Sequence, residues 1–375
     1  MRVVMVSKHY FPFLGGLESR VKWLAEWLVH AGDQVTVVTA AEEGVRGSEC
    51  LEGVTVNRHP PAFSLLNALV CPGVLRDLLK LDYDVADVNL PDPVNAVFTL
   101  IACTLRRRPY VVTYHADIHK TGFAGRLFTF FYSPLQQLVL TFAHAILVTS
   151  PDYAHSSAPL KPHLGKTVVA PSFVNADRFT PNVDGTRMRA ELGVTAGKMV
   201  LFVGRLVPYK GLDVLLDAFR RVASDVDATL VIAGEGPLES RLKAQAQTLG
   251  VANRVVFAGR VPDERLPELY AACDVFVLPS VTRQEAFGLV LVEALACGKP
   301  AVTTNFSGMP YVVGDAGLKV PPGSVGQLHP ALVKLLVDGE AATKMGAAGR
   351  QRVLELFEQN RVAEKVAGVY RRAVG

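Results

Sequence analysis

The stretch MVLFVGRLVPYKGLDVLLDAFRRVASDVDATLVIAG, residues 199–234, decides the fold. A short Val-rich run at 199–203 ends in Gly204-Arg205-Leu206. Lys210-Gly211 then leads into an amphipathic stretch at 212–222, and a second apolar run at 229–233 ends in Gly234. Strand, helix, strand in so few residues forces the two strands to run parallel. Their unbroken apolar character means that both faces of the sheet are covered. The pattern continues outward with strands expected at 255–258, 275–278 and 301–303 and helices at 237–248, 263–272 and 286–297. It also stands, independently, in the first half. Runs at 3–6, 35–38, 54–56, 85–88, 110–114 and 146–148 alternate with amphipathic stretches such as 17–31 and 94–105. The reading is α/β, with two doubly wound Rossmann-like domains facing each other across a cleft and ligands at the carboxyl ends of the strands. Residues 170–185, with Pro171, Pro181 and Gly185 and no periodicity, read as the linker, and 361–374 as a closing helix.

Composition narrows the function. A chain of 375 residues that is 50% hydrophobic and 20% charged buries large cores and is not disordered. A net charge of +4, spread over both halves, excludes nucleic acid as the main partner. Cysteines at 50, 71, 103, 273 and 297 are odd in number and lack CxxC spacing, which argues against a disulfide framework or a zinc site and for a reducing compartment. No signal peptide is expected, since Met1-Arg2 runs straight into a strand. Residues 127–151 carry no Asp, Glu, Lys or Arg, yet Pro134, Gln136, Gln137 and His144 interrupt them. They read as a helix at 124–142 and a buried strand rather than a membrane span.

Four places carry chemistry. Glu285-Ala286-Phe287-Gly288-Leu289, followed by Glu293, sets two acids eight residues apart at a helix start. Along a helix that is about 12 Å, suited to the two ends of an elongated ligand. The N–H groups of Phe287, Gly288 and Leu289 would face an anion, with Gly288 allowing close approach. An ordinary capped helix with a solvated Glu has the same appearance. Arg205 and Lys210, at a strand–helix junction, suit a diphosphate, in the ground state and as a leaving group; two solvated surface cations are the plainer reading. Gly15-Gly16 forms a glycine loop after the first strand, or a plain turn. His115, in Tyr114-His115-Ala116-Asp117, ends the fifth strand of the first domain, where such a fold places its cleft. A dinucleotide oxidoreductase is the rival. Its best candidate, Gly234-Glu235-Gly236, has Glu239 where the third glycine of GxGxxG belongs.

Together with 255–259, 272–275 and Cys297-Gly298-Lys299-Pro300, these segments resemble the family 4 retaining glycosyltransferases of GT-B fold, over nearly the whole chain. The resemblance implies an acceptor domain at 1–178, a nucleotide-sugar domain at 179–356, and a final segment, 357–375, packing back on the first domain. It implies a retaining hexosyltransferase that uses GDP-mannose or a UDP-sugar and no metal or other cofactor. Its acceptor is a glycan or lipid-linked molecule of cell-envelope polysaccharide or lipopolysaccharide synthesis, at the cytoplasmic side of a membrane.

Residue by residue, Arg205 and Lys210 would bind the diphosphate, Glu293 the ribose, and Glu285 with the amides of Phe287, Gly288 and Leu289 the sugar and phosphate. The main chain at Arg260 and Val261 would meet the base. His115 would lie near the anomeric centre and a sugar hydroxyl, Gly16 would let the backbone approach the donor phosphate or the acceptor, and Gly15, Gly16, His115 and Asp117 would face the acceptor. The leaving phosphate would take the acceptor proton, so no protein nucleophile is expected. The chain departs from the family at Ser307 and Tyr311, where many relatives have a glycine and an acid.

Residues 106–132 hold Arg106, Arg107, Arg108, Lys120 and Arg126 against Asp117 alone, interleaved with Phe123, Phe128, Phe130, Phe131 and Tyr132. This reads either as a face for an anionic bilayer or as a solvated basic turn beside a buried helix. Two other functions fit the same fold, a GT-B nucleotide-sugar isomerase and a non-catalytic nucleotide-sugar-binding protein. The presence of His115, Arg205, Lys210, Glu285 and Glu293 together argues against the second.

Overall fold

The computed structural model of the chain describes residues 1–13, 16–41, 47–65, 68–117 and 122–375. They divide into two compact units, 1–171 with 360–375, and 172–359.

The first unit is built on an eight-stranded sheet. Its strands run, in spatial order, Thr167–Val169, Ala145–Val148, Tyr110–Tyr114, Val85–Leu90, Arg2–Val6, Gln34–Ala40, Val54–His59 and Gly47–Leu51. All neighbours are parallel except the last pair. The six expected strands are present. Thr167–Val169, Gly47–Leu51 and the hairpin Phe63–Leu65/Ala68–Val70 are additional. Gly47–Leu51 pairs on one side only and stays largely exposed, so it carries no apolar run for a sequence reading to find.

The second unit has six parallel strands in the order Val255–Gly259, Ala228–Ala233, Lys198–Val203, Val275–Leu278, Ala301–Thr304 and Gly317–Val320. Reversal of order beside the first strand of each unit makes the doubly wound switch point, with crevices at the carboxyl ends. One apolar core, which includes Phe202, Phe219, Phe276 and Leu295, fills this unit.

The unit boundary falls at 171/172 rather than 178. Val174 N–H donates to the Phe357 carbonyl, and Arg350 donates to the carbonyls of Ala176 and Phe179, so 172–178 belong to the second unit. The helix Gln359–Val374 packs with the first unit. Its Tyr370 hydroxyl donates to Asp87 Oδ2 at 2.6 Å, where Thr113 Oγ1 also donates to the same carboxylate. Asp87 is buried, and burial raises its carboxyl above the usual range. Tyr370→Phe leaves that carboxyl one donor short, so the thermal unfolding midpoint is expected to fall, by the equivalent of about 1–3 kcal/mol. An unchanged midpoint would mean that this contact does not tie the final helix down.

All five cysteines are free and four are buried. No described helix is long and apolar enough to cross a membrane.

Candidate functional site

In the second unit the chemistry gathers at the carboxyl ends of adjacent strands. Strand Lys198–Val203 delivers Gly204-Arg205-Leu206, and strand Ala228–Ala233 delivers Gly234-Glu235-Gly236. The two loops press together: a Cβ on Gly234 would stand 2.0 Å from the Gly204 carbonyl oxygen, and one on Gly236 would stand 2.5 Å from that of Leu206. These glycines serve loop packing, which is why they mimic a dinucleotide fingerprint without completing it. Around them lies a pocket of about 430 Å³ lined by Gly204, Arg205, Glu235, Arg260, Val261 and Asp263, among others. Arg205 and Arg260 are exposed there and, among the described residues, make no side-chain ion pair. Two unpaired guanidinium groups in one pocket of this size suit a phosphate-bearing ligand.

Lys210 ends a short turn, Pro208–Lys210, and Gly211 follows at φ +68°. A Cβ on Gly211 would meet the Pro279 carbonyl oxygen at 2.3 Å, so this loop lies tight against 279–281. That approach brings Lys210 Nζ within 2.5 Å of Glu285 Oε2, with Ser280 Oγ donating to the same oxygen at 3.3 Å. The two side chains are 10% and 12% exposed. Lys210 retains N–H donors beyond the one Glu285 uses.

The acidic segment corrects the sequence reading. The helix starts at Leu289, not 286, so Glu285 lies in the preceding loop and the two acids are not set apart along one continuous helix. Gly288 caps the helix at φ +82°, and a Cβ there would press on Leu278 and Leu291 at 3.0 Å. Local packing therefore already requires this glycine. The Phe287 ring is in the core, edge-on to Phe357, so only its main chain can serve a ligand. The departures from the family pattern brace this loop. Ser307, at φ +58°, donates from its hydroxyl to the Ala286 carbonyl, which also accepts from Gly308 N–H. Tyr311 packs edge-on against Phe357 with Arg352 over its ring.

Glu293 has a partner that the sequence reading missed. Tyr270, wholly buried and held between Phe179 and Phe276, donates its hydroxyl to Glu293 Oε2 at 2.6 Å. Burial raises the Glu293 carboxyl to about 7, with Asp263 adding to the rise and the Tyr270 hydrogen bond and Arg178 opposing it. If Glu293 takes ribose hydroxyls, as the family resemblance implies, it does so in its ionised form, and nucleotide affinity should weaken as pH falls below about 7. Tyr270→Phe removes a donor that favours the ionised form. The donor KM is expected to rise roughly tenfold with kcat little changed, and the pH at which affinity is lost should move up. An unmoved pH profile would make Tyr270 a packing residue only.

In the first unit, His115 follows strand Tyr110–Tyr114. Its Nε2 lies 3.0 Å from Asn89 Oδ1, while Asn89 Nδ2 donates to the Val6 carbonyl. That fixes the amide, so Nε2 carries the hydrogen and Nδ1 is left as acceptor. Burial, then the Arg20 charge, hold the imidazole well below its usual pKa, so it is neutral at pH 7. Asp117 serves the loop rather than open space: its Oδ1 accepts from Tyr114 and Ser157 hydroxyls at 2.8 and 2.6 Å. Gly16 begins the helix Gly16–His30, and a Cβ there would meet nothing within 4 Å, so no packing demand explains it. Gly15 lies outside the described residues.

The basic run 106–132 is less available than its charge count implied. Arg106 donates to the Leu78 and Leu81 carbonyls and lies over Tyr83, and Arg108 pairs with Asp82. Arg107 is exposed. Lys120 and the side chains of Phe123 and Arg126 lie outside what is described.

Comparison with known proteins identifies the family and the fold. Residues 185–352 match the glycosyl transferases group 1 family, and residues 15–171 match the glycosyl transferase 4-like domain. O-antigen chain mannosyltransferase C of Escherichia coli is 31% identical, over 99% of this chain and 98% of that protein. The GDP-mannose-dependent alpha-(1-6)-phosphatidylinositol monomannoside mannosyltransferase of Mycolicibacterium smegmatis is 30% identical, over 98% of each. A solved glycosyltransferase from Rickettsia africae shares the fold at a TM-score of 0.80 and 19% identity, covering 100% of this chain and 98% of that one. The chain belongs to the group 1, family 4-like glycosyltransferases and has their GT-B fold.

Proposed function

We propose that the protein is a retaining, metal-independent hexosyltransferase that moves mannose from GDP-mannose to a glycan or lipid-linked acceptor in cell-envelope glycan synthesis, at the cytoplasmic face of a membrane. The observation that carries this reading is the pocket in which Arg205 and Arg260 stand unpaired among the described residues, with Lys210 held by Glu285 at a neighbouring strand end. Three cations placed this way answer a diphosphate without a divalent ion. Glu293, positioned by Tyr270, takes the ribose, and Val261 and the main chain of Arg260 take the base. The neutral His115 offers Nδ1 to a sugar or acceptor hydroxyl. On this reading the reaction runs on one face of the sugar, and the departing phosphate oxygen takes the acceptor proton. Mannose is favoured over a UDP-linked sugar by the mannosyltransferase relatives.

The test is transfer from GDP-mannose to methyl α-mannoside, followed by NMR of the product with and without EDTA. An α-linked product formed equally well with EDTA is expected. A β-linked product contradicts retention, loss of turnover in EDTA contradicts metal independence, and turnover with UDP-glucose alone contradicts the donor.

A further inference from the structure

Strand Val85–Leu90 is buried at every position, and a parallel strand covered on both faces is normally apolar throughout. Asp87 and Asn89 break that rule. Two residues apart, they share one face of the sheet, where Asn89 stands in register with Thr113. Buried polar side chains cost stability unless they are hydrogen-bonded, so the partners of each show what it does. Asp87 accepts from Thr113 and from Tyr370 of the final helix, which ties that helix to the sheet. The Asn89 side chain has two partners among the described residues, the Val6 carbonyl and the His115 ring.

The Val6 carbonyl belongs to the adjacent strand and cannot turn. It takes Asn89 Nδ2 at 3.3 Å and leaves Oδ1 facing His115 Nε2 at 3.0 Å. A flipped amide would set Oδ1 against the carbonyl oxygen, two acceptors with no hydrogen between them. The ring is held from its other end as well, since His115 N–H donates to the Leu90 carbonyl at 3.1 Å. His115 Nδ1 makes no hydrogen bond among the described residues and is not one of the polar atoms sealed in the interior, so it is open to an incoming hydroxyl. The charged and titratable groups of this cluster are Arg20, on the helix Gly16–His30, with Asp87 and Tyr370, on both of which its charge acts. Arg20 and burial both oppose a second proton on the ring.

We propose that Asn89 is a positioning residue for glycosyl transfer: it holds the single hydrogen of the neutral His115 ring on Nε2, so that Nδ1 accepts from a hydroxyl of the sugar or acceptor. The proposal rests on the glycosyl-transfer reading and adds to it the residue that sets how His115 is used.

Nitrogen-15 NMR of the full chain without ligand reads the tautomer, with the His115 signals assigned by their loss in His115→Gln. The unmodified protein should show hydrogen on Nε2 and none on Nδ1 at pH 7. Asn89→Leu keeps the volume and removes the acceptor, so hydrogen should move to Nδ1. Its kcat should fall at least about tenfold with donor KM little changed, because Nδ1–H then meets the hydroxyl with the wrong polarity. Asn89→Asp tests the acceptor itself. The burial that raises Asp87 should keep the new carboxyl protonated at about pH 6, with the amide's pattern of one acceptor and one donor. That variant should retain the tautomer and stay within about threefold of the unmodified kcat, the scale of exchanging one neutral hydrogen bond for another. Hydrogen on Nδ1 in the unmodified protein overturns the proposal without any variant, which covers the case that Asn89→Leu fails to fold. An unmoved tautomer in Asn89→Leu overturns it, as does Asn89→Asp as slow as Asn89→Leu at that pH. A moved tautomer with unchanged kcat also overturns it and removes His115 from the proposed reaction. GDP binding should be equal in Asn89→Leu and the unmodified chain. Its absence from both strikes the donor reading, and the tautomer still decides the role of Asn89.

Discussion

Lys210→Ala is expected to lower turnover by about 100-fold or more, the usual loss when a preorganised charge is removed from a site that stabilises a leaving anion. The structure adds a second consequence. Lys210 and Glu285 face each other at 2.5 Å with little exposure, so removing the cation leaves the Glu285 carboxylate with Ser280 at 3.3 Å as its remaining side-chain partner among the described residues. Breaking a buried pair from one side costs about 3–5 kcal/mol, and the residual exposure of both side chains reduces this. The variant should thus be slow and less thermostable, yet folded at 25 °C by circular dichroism. Near-normal turnover would remove Lys210 from the diphosphate site.

Glu285→Ala should have a comparable effect on turnover, again about 100-fold or more. Its acid both orients Lys210 and, on the present account, holds the reacting sugar. The double variant Lys210→Ala/Glu285→Ala is informative because residues acting as one unit do not add. It should be about as slow as either single variant and more stable than Lys210→Ala, since no unpaired charge remains. Effects that multiply would mean that the two residues act on separate ligand groups, each independent of the ion pair.

These expectations draw on features that the sequence shows to different degrees. The strand runs were legible because a parallel strand covered on both faces must be apolar throughout. Arg205, Lys210 and His115 were legible because each sits just past such a run, where a doubly wound fold opens its crevice. The contacts were not legible. Lys210 meets Glu285 across 75 positions, and Tyr270 meets Glu293 across 23 through the core. A buried tyrosine on a short helix looks like any apolar residue until its hydroxyl is seen to have a partner. The helix start was misplaced because Ala286 and Phe287 continue its apolar pattern, while the left-handed Gly288 interrupts the backbone. Charge counting overstated the basic run at 106–108 because it cannot see two guanidinium groups satisfied by carbonyls and by Asp82. Ser307 and Tyr311, where the sequence shows only a departure from the family pattern, brace the acidic loop through Ala286 and Phe357.

The central claim is that a nucleoside diphosphate is held by the cations at the strand ends of the second unit. Calorimetry of GDP and UDP against the unmodified chain and Arg205→Ala tests it most directly. Arg205 is exposed and unpaired among the described residues, so its removal should leave the fold untouched. The account predicts that GDP binds, more tightly than UDP, and that Arg205→Ala weakens it at least tenfold, the loss of a charge-assisted contact of about 1.5–3 kcal/mol. GDP binding of equal strength in Arg205→Ala would contradict it.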